Sequence, residues 1–206
     1  MKLTTIYYFL TSSRSFSIHI VFTISAIYYV SVAQLNALEL VLIGTILELT
    51  VFICEIPTGL FADFFGRKKS FILGTVIIGS AHLLEGSIPE FWAIALASML
   101  WGIGWTFISG SEEAWIADEL ENQALERVFL KGAQWRSIGS FLGIIMSVVL
   151  ALFLSVQLAI ILAGAFLLLI AIISLCIVPE TNYIVNNASK FSDNIGIKFP
   201  IIELSS

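Results

Sequence analysis

The 206 residues are 58% hydrophobic and 12% charged, with a mean hydropathy of +0.98. Soluble domains carry about 25% charged residues, so this chain has too few polar side chains to coat a water-facing globule. Its net charge of -5 is divided between two membrane faces and points to no nucleic-acid partner.

Six apolar runs reach the length of about 20 residues that a bilayer crossing needs. They cover residues 15–34, 40–62, 71–88, 91–112, 132–154 and 157–178. The first could be a signal peptide, with Lys2 and Arg14 ahead of it and Ser31-Val32-Ala33 as a cleavage site. Five further runs follow in regular alternation, and the first belongs to their series.

The second span carries Glu48 and Glu55, one heptad apart and so on one helix face. A carboxylate at that depth costs about 2.5–3.5 kcal/mol. Both are expected to face the bundle interior or a wet cavity, as candidates for a coupled proton or a substrate contact. After this span the chain reads Gly59-Leu60-Phe61-Ala62-Asp63-Phe64-Phe65-Gly66-Arg67-Lys68-Lys69. Asp63 at a helix C-terminus and Arg67 to Lys69 at the next N-terminus both oppose the helix dipole. Two unfavourable placements back to back suggest a demand other than helix stability. Asp63 and Arg67 could offset each other, and Gly66 permits a tight turn.

In the third span His82 and Glu85 are three apart and within reach of each other. In the fourth, Trp101 and Trp105 share a face and could line a cavity for an apolar substrate, or face lipid. Trp115 suits the membrane interface. Glu112, Glu113 and Asp118 gather at that span's inner end, and a cytoplasmic ion-pair network with Arg136 and Arg127 is expected. Gly139 and Gly143 in the fifth span have the spacing that lets helix backbones approach closely. Gly74, Gly79, Gly102 and Gly104 suit the same purpose. Cys54 and Cys176 read as buried free thiols, and His19 as a satisfied interior histidine. Pro179-Glu180-Thr181 ends the sixth span, giving a bundle over 1–180 and a polar cytoplasmic tail over 181–206.

Nine of the ten Lys and Arg residues fall before the first span, in alternate connections or after the sixth span, and the tenth, Arg136, stands near the start of the fifth span beside its basic connection. Basic loops stay on the cytoplasmic side. The expected fold is therefore all-α and polytopic, with six crossings of the plasma membrane and both termini inside. No catalytic, cofactor or metal-ligand motif stands out.

The segment from Gly59 to Lys69 closely resembles the signature of the major facilitator superfamily. That signature reads Gly-x-x-x-Asp-x-x-Gly-Arg followed by basic residues, between the second and third spans. Gly59, Asp63, Gly66, Arg67 and Lys68 match it in type and spacing. The order of spans and Pro179-Glu180-Thr181 are also similar to that family. Glu55-Ile56-Pro57-Thr58-Gly59 and Gly110-Ser111-Glu112-Glu113-Ala114-Trp115 resemble a branch containing drug-efflux carriers. The resemblance implies that the loop is a cytoplasmic latch. It further implies secondary transport of a small molecule, bound at mid-membrane between two halves that rock against each other. Carriers of this family usually have twelve spans, and six are half of one. A second six-helix half is therefore expected as a partner, either another copy or a separate chain. The alternative is a truncated, non-transporting membrane protein or a regulatory subunit of a full-length carrier.

Overall fold

The computed structural model describes residues 2–120 and 125–179. Every regular element among them is helical. Helix α1 runs Leu3–Ile27 and continues into a π-helical turn, Tyr28–Val32. Then follow α2 (Ala37–Phe65), α3 (Arg67–Ser87), α4 (Phe91–Ile108), α5 (Ser111–Glu119), α6 (Leu125–Phe153) and α7 (Val156–Ile177). With α4 and α5 sharing one span, six helical stretches are long and apolar enough to cross a membrane. The tail beyond Pro179 lies outside the described residues.

Local chemistry sets the boundaries. Asn36 caps α2 by accepting from the Leu38 and Glu39 amides at 3.0 and 3.1 Å, while its own amide donates to Glu39 Oε2 at 2.8 Å. Such a reciprocal cap is worth about 1 kcal/mol. Gly66 alone separates α2 from α3, at φ 109°, a conformation a Cβ disfavours. Gly110, at φ 76°, breaks the fourth span into α4 and α5. That span was expected to end at residue 112, yet its helical path resumes beyond the break and reaches Glu119.

The first helix starts well before residue 15. Arg14 therefore lies inside α1 rather than ahead of it, and it is buried. Tyr7, Leu10, Arg14, Ile18 and Val21 follow a helical spacing and form the buried face. One polar residue in an otherwise apolar stripe extends the helix instead of ending it.

Lipid offers helices no hydrophobic reason to associate, so close backbone packing must hold the bundle. Glycines provide it. Helix α6 packs on α1, where a Cβ on Gly139 would strike the Ser12 carbonyl and one on Gly143 the Phe16 carbonyl. Helices α3 and α4 meet through Gly74 and Gly104. Helices α3 and α7 meet through Gly79 and Gly164, where each added Cβ would lie 2.7–3.0 Å from the other's carbonyl oxygen. Helix α1 also packs on α7, and α2 rests mainly on α4. Two apolar clusters result. One surrounds Tyr7, Phe71 and Trp115 at the basic end, the other Tyr28, Ile94 and Ile160 at the opposite end.

Helix α2 is almost wholly exposed, and α6 largely so. The thiols are not deeply buried as expected: Cys54 is half-buried and Cys176 exposed, and both are free.

Replacing Gly139 with Ala should drive α1 and α6 apart and cost about 1–3 kcal/mol, read as a lowered thermal midpoint in detergent. Gly59→Ala is the control. Nothing lies within 4 Å of its added Cβ, so the midpoint should not fall.

Candidate functional site

Two groups of polar side chains stand out, one at each end of the bundle. The first is built around α5. Its nine residues carry four carboxylates, and three of them, Glu112, Glu113 and Asp118, each meet an arginine from a different helix. Arg14 of α1 pairs with Glu112, whose other oxygen accepts from the Thr11 hydroxyl at 3.2 Å. Both charged side chains are nearly dry, at 8% and 4% exposure. Arg67 of α3 pairs with Asp118 at 2.6 Å and also donates to the Ala114 carbonyl at 2.8 Å. Arg136 of α6 pairs with Glu113 at 3.2 Å, with both side chains about half exposed.

Neutral contacts complete this clasp. Ser111 donates to the Phe107 carbonyl at 2.7 Å, and its hydroxyl oxygen lies 3.1 Å from that of Ser70. Trp115 packs on Phe71 and donates to the Pro179 carbonyl at 2.8 Å. It is fully buried against its neighbours rather than exposed on the surface as an interfacial anchor would be. Lys68 donates to the Leu175 carbonyl at 3.3 Å, tying α3 to α7.

The second group lines a cavity of about 360 Å³ between α1, α2, α3 and α4. The π turn of α1 brings two successive tyrosines to Glu85. Tyr28 donates to the Glu85 carbonyl at 2.5 Å, and Tyr29 donates to its Oε1 at 2.8 Å. Extra turns of this kind recur at functional positions. His82 Nδ1 lies 3.3 Å from Glu85 Oε2. His82 and Trp101 both line the cavity. His82 Nε2 and Trp101 Nε1 are buried without a hydrogen-bond partner. Trp105 stacks on Trp101 at 5.5 Å, nearly parallel, and is not among the lining residues.

Glu48 and Glu55 were expected to face the bundle interior or a wet cavity, and neither faces the interior of this bundle. Both are exposed. Helix α2 buries Ile43, Thr50, Thr58 and Ala62 instead, and its glutamates fall on another face. There they alternate with Val41, Thr45, Phe52 and Gly59 at spacings of four and three, all exposed. The expected sites thus separate: Glu85, His82 and Trp101 converge, while Glu48 and Glu55 belong to a different surface. Expectations for the other groups fared variously. His19 is half-buried, and its Nδ1 lies 2.9 Å from the Ser15 carbonyl. Arg127 is exposed on α6, outside the three ion pairs. The participation of Arg14 was missed, along with the two tyrosines.

Comparison with known proteins settles the family. A family model described as Major Facilitator Superfamily matches residues 5–203. The chain belongs to the major facilitator superfamily. Among curated proteins it is similar to an uncharacterized MFS-type transporter, YxaM, of Bacillus subtilis (strain 168). The two are 26% identical over 129 residues, 63% of this chain. That match spans 32% of the relative, about a third of its length.

For a superfamily chain, the pairing of Arg67 is the informative detail. Arg67 and Lys68, which oppose the α3 dipole, are offset by acceptors from α5 and α7. The placement that looked unfavourable in sequence is a tertiary contact. Asp63 is near enough to Asp118 for the two carboxylates to repel.

Removing one partner of a dry ion pair leaves an uncompensated charge and costs about 3–5 kcal/mol. Glu112→Gln should therefore lower the thermal midpoint steeply. Arg14→Met combined with Glu112→Leu should recover most of the loss. Glu113→Gln, at the half-exposed pair, should change stability by less than about 1 kcal/mol.

Proposed function

We propose that this chain is the N-terminal half of a secondary carrier that moves a small molecule across the plasma membrane. A second six-helix unit covers the exposed face of α2. The observation that carries this reading is the position of Glu48 and Glu55. Both stand mid-helix and exposed on an evenly spaced seam. Two carboxylates turned to hydrocarbon would cost about 2.5–3.5 kcal/mol each. A helix of the second half packs beside a spacing of four and three, closest at Gly59 where no side chain intervenes, while Glu48 and Glu55 open onto the space between the halves.

Between two such halves runs a wet path at mid-membrane. Glu48 and Glu55 face it from this half and are its candidate proton carriers. The α5 clasp lies at the cytoplasmic end, where Arg67 to Lys69 hold the loop inside. It serves as this half's share of the latch. Both termini are then cytoplasmic. Family membership supports transport as the general function, as does the name of the Bacillus relative. Export of an amphipathic compound is the direction favoured by the efflux-like segments around Glu55 and Ser111.

Crosslinking tests the seam. With Cys54 and Cys176 replaced, Phe52→Cys should crosslink to a second six-helix unit in native membranes. Ile172→Cys, exposed on α7, should not. A Phe52→Cys thiol that reacted only with lipid-phase reagents would remove the second half. Transport tests the rest, using vesicles holding the assembled carrier. Asp63→Asn should slow turnover at least about tenfold, roughly 1.4 kcal/mol of barrier, without loss of insertion. Glu48→Gln should shift the pH profile of uptake. An unaltered rate and profile in both variants would refute the latch and the proton role.

A further inference from the structure

Helices α3 and α6 both begin at the basic end, and both carry cations in their first two turns, where the helix dipole disfavours them. At α3 the charge is offset from within the chain, by acceptors on α5 and α7. At α6 it is not. Arg127 and Lys131 are exposed and make no hydrogen bond or ion pair with another described residue. Glu126 precedes Arg127 but points about 100° away around the helix.

The two cations are four residues apart and share one face of α6. Trp135 follows at the same spacing. Ile138, Leu142 and Ile145 continue the row at spacings of three and four, and all four of these residues are exposed. One face therefore grades from charge, through an indole ring, to hydrocarbon. It lies about a quarter turn from Gly132, Gly139 and Gly143, which pack on α1.

That packing also sets its depth. Gly132 meets Tyr7, Gly139 meets Ser12 and Gly143 meets Phe16, so α6 and α1 run in the same direction. Five residues back from the first contact, Arg127 stands level with Lys2, which is exposed. Lys2 adds a third cation at that height. Trp135 is one turn further in than Lys131, where a tryptophan suits the headgroup boundary.

We propose that this face of α6 binds an anionic phospholipid of the cytoplasmic leaflet. Its headgroup meets Arg127 and Lys131, and its chains lie along Ile138, Leu142 and Ile145. A soluble anion would match the cations and leave the apolar row unused. A zwitterionic lipid would match the row and leave the cations unanswered. Basic residues at a bilayer surface attract anionic lipid in this way. The site goes beyond the carrier reading and takes from it only the side of the membrane.

The test uses the 206-residue chain in phosphatidylcholine nanodiscs, with brominated phosphatidylglycerol or brominated phosphatidylcholine added at equal mole fraction. Bromine quenches tryptophan on contact. Trp135 is read as the difference between the chain and its Trp135→Phe variant. Trp92, exposed near the opposite end, is read likewise and reports ordinary lipid. Trp135 should prefer phosphatidylglycerol at least about fivefold, and Trp92 should show no such preference. Arg127→Gln combined with Lys131→Gln should abolish the preference. Lys69→Gln, at the exposed cation of α3, should leave it intact. Equal quenching of Trp135 by the two lipids, or a preference that survives the double variant, would overturn the proposal. So would a Trp135 that neither lipid quenches while both quench Trp92, since a protein would then cover this face. A lipid preference in a chain that assembles no carrier would keep the site and sink the carrier reading. Transport by a carrier whose Trp135 shows no preference would remove the site alone.

Discussion

A guanidinium and a carboxylate held almost out of water govern the basic end of this bundle. Desolvating either charge costs several kcal/mol, which only a close, well-bonded partner offsets. Arg14 and Glu112 are that pair. Because Glu112 sits on α5, the pair brings α5 against α1. Arg67 and Arg136 then reach α5 from α3 and α6. A nine-residue helix too short to be stable in isolation is thereby held from three sides, with Trp115 filling the space beneath it.

Elsewhere the bundle obeys a different constraint. Hydrocarbon rewards neither burial of apolar side chains nor exposure of polar ones. The described helices accordingly meet backbone to backbone at glycines, and hydroxyl groups bond to carbonyls of their own or neighbouring helices. Ser17 donates across to the Ala163 carbonyl at 2.7 Å, and Ser70 to that of Phe107 at 2.7 Å. Helix α2 departs from this economy. It presents carboxylates and bare glycines where the others present packed faces.

Much of this was legible in sequence, because span length and hydropathy are set by the bilayer and show in any window of residues. The glycine contacts were legible for Gly74, Gly104, Gly139 and Gly143, since close approach demands the absence of a side chain. The carboxylates of α5 were recognisable as ion-pair partners, and Arg136 as one of their cations. Arg14 was not. A lone cation at the edge of an apolar run looks like a flank until the helix that continues through it is known. The π turn at Tyr28 had no signal either, since one extra residue in a turn leaves composition unchanged. Glu48 and Glu55 were correctly placed on one face. Which way that face points depends on what α2 packs against, and hydrophobic periodicity is silent when every side of a helix is apolar.

The joint between α2 and α3 is one residue long. A joint that short holds the end of α2 directly beside the start of α3, with Gly66 at the corner. One arm carries the glutamate seam and the other begins with Arg67. The glutamate seam and the arginine clasp are thus joined along the chain through a single residue.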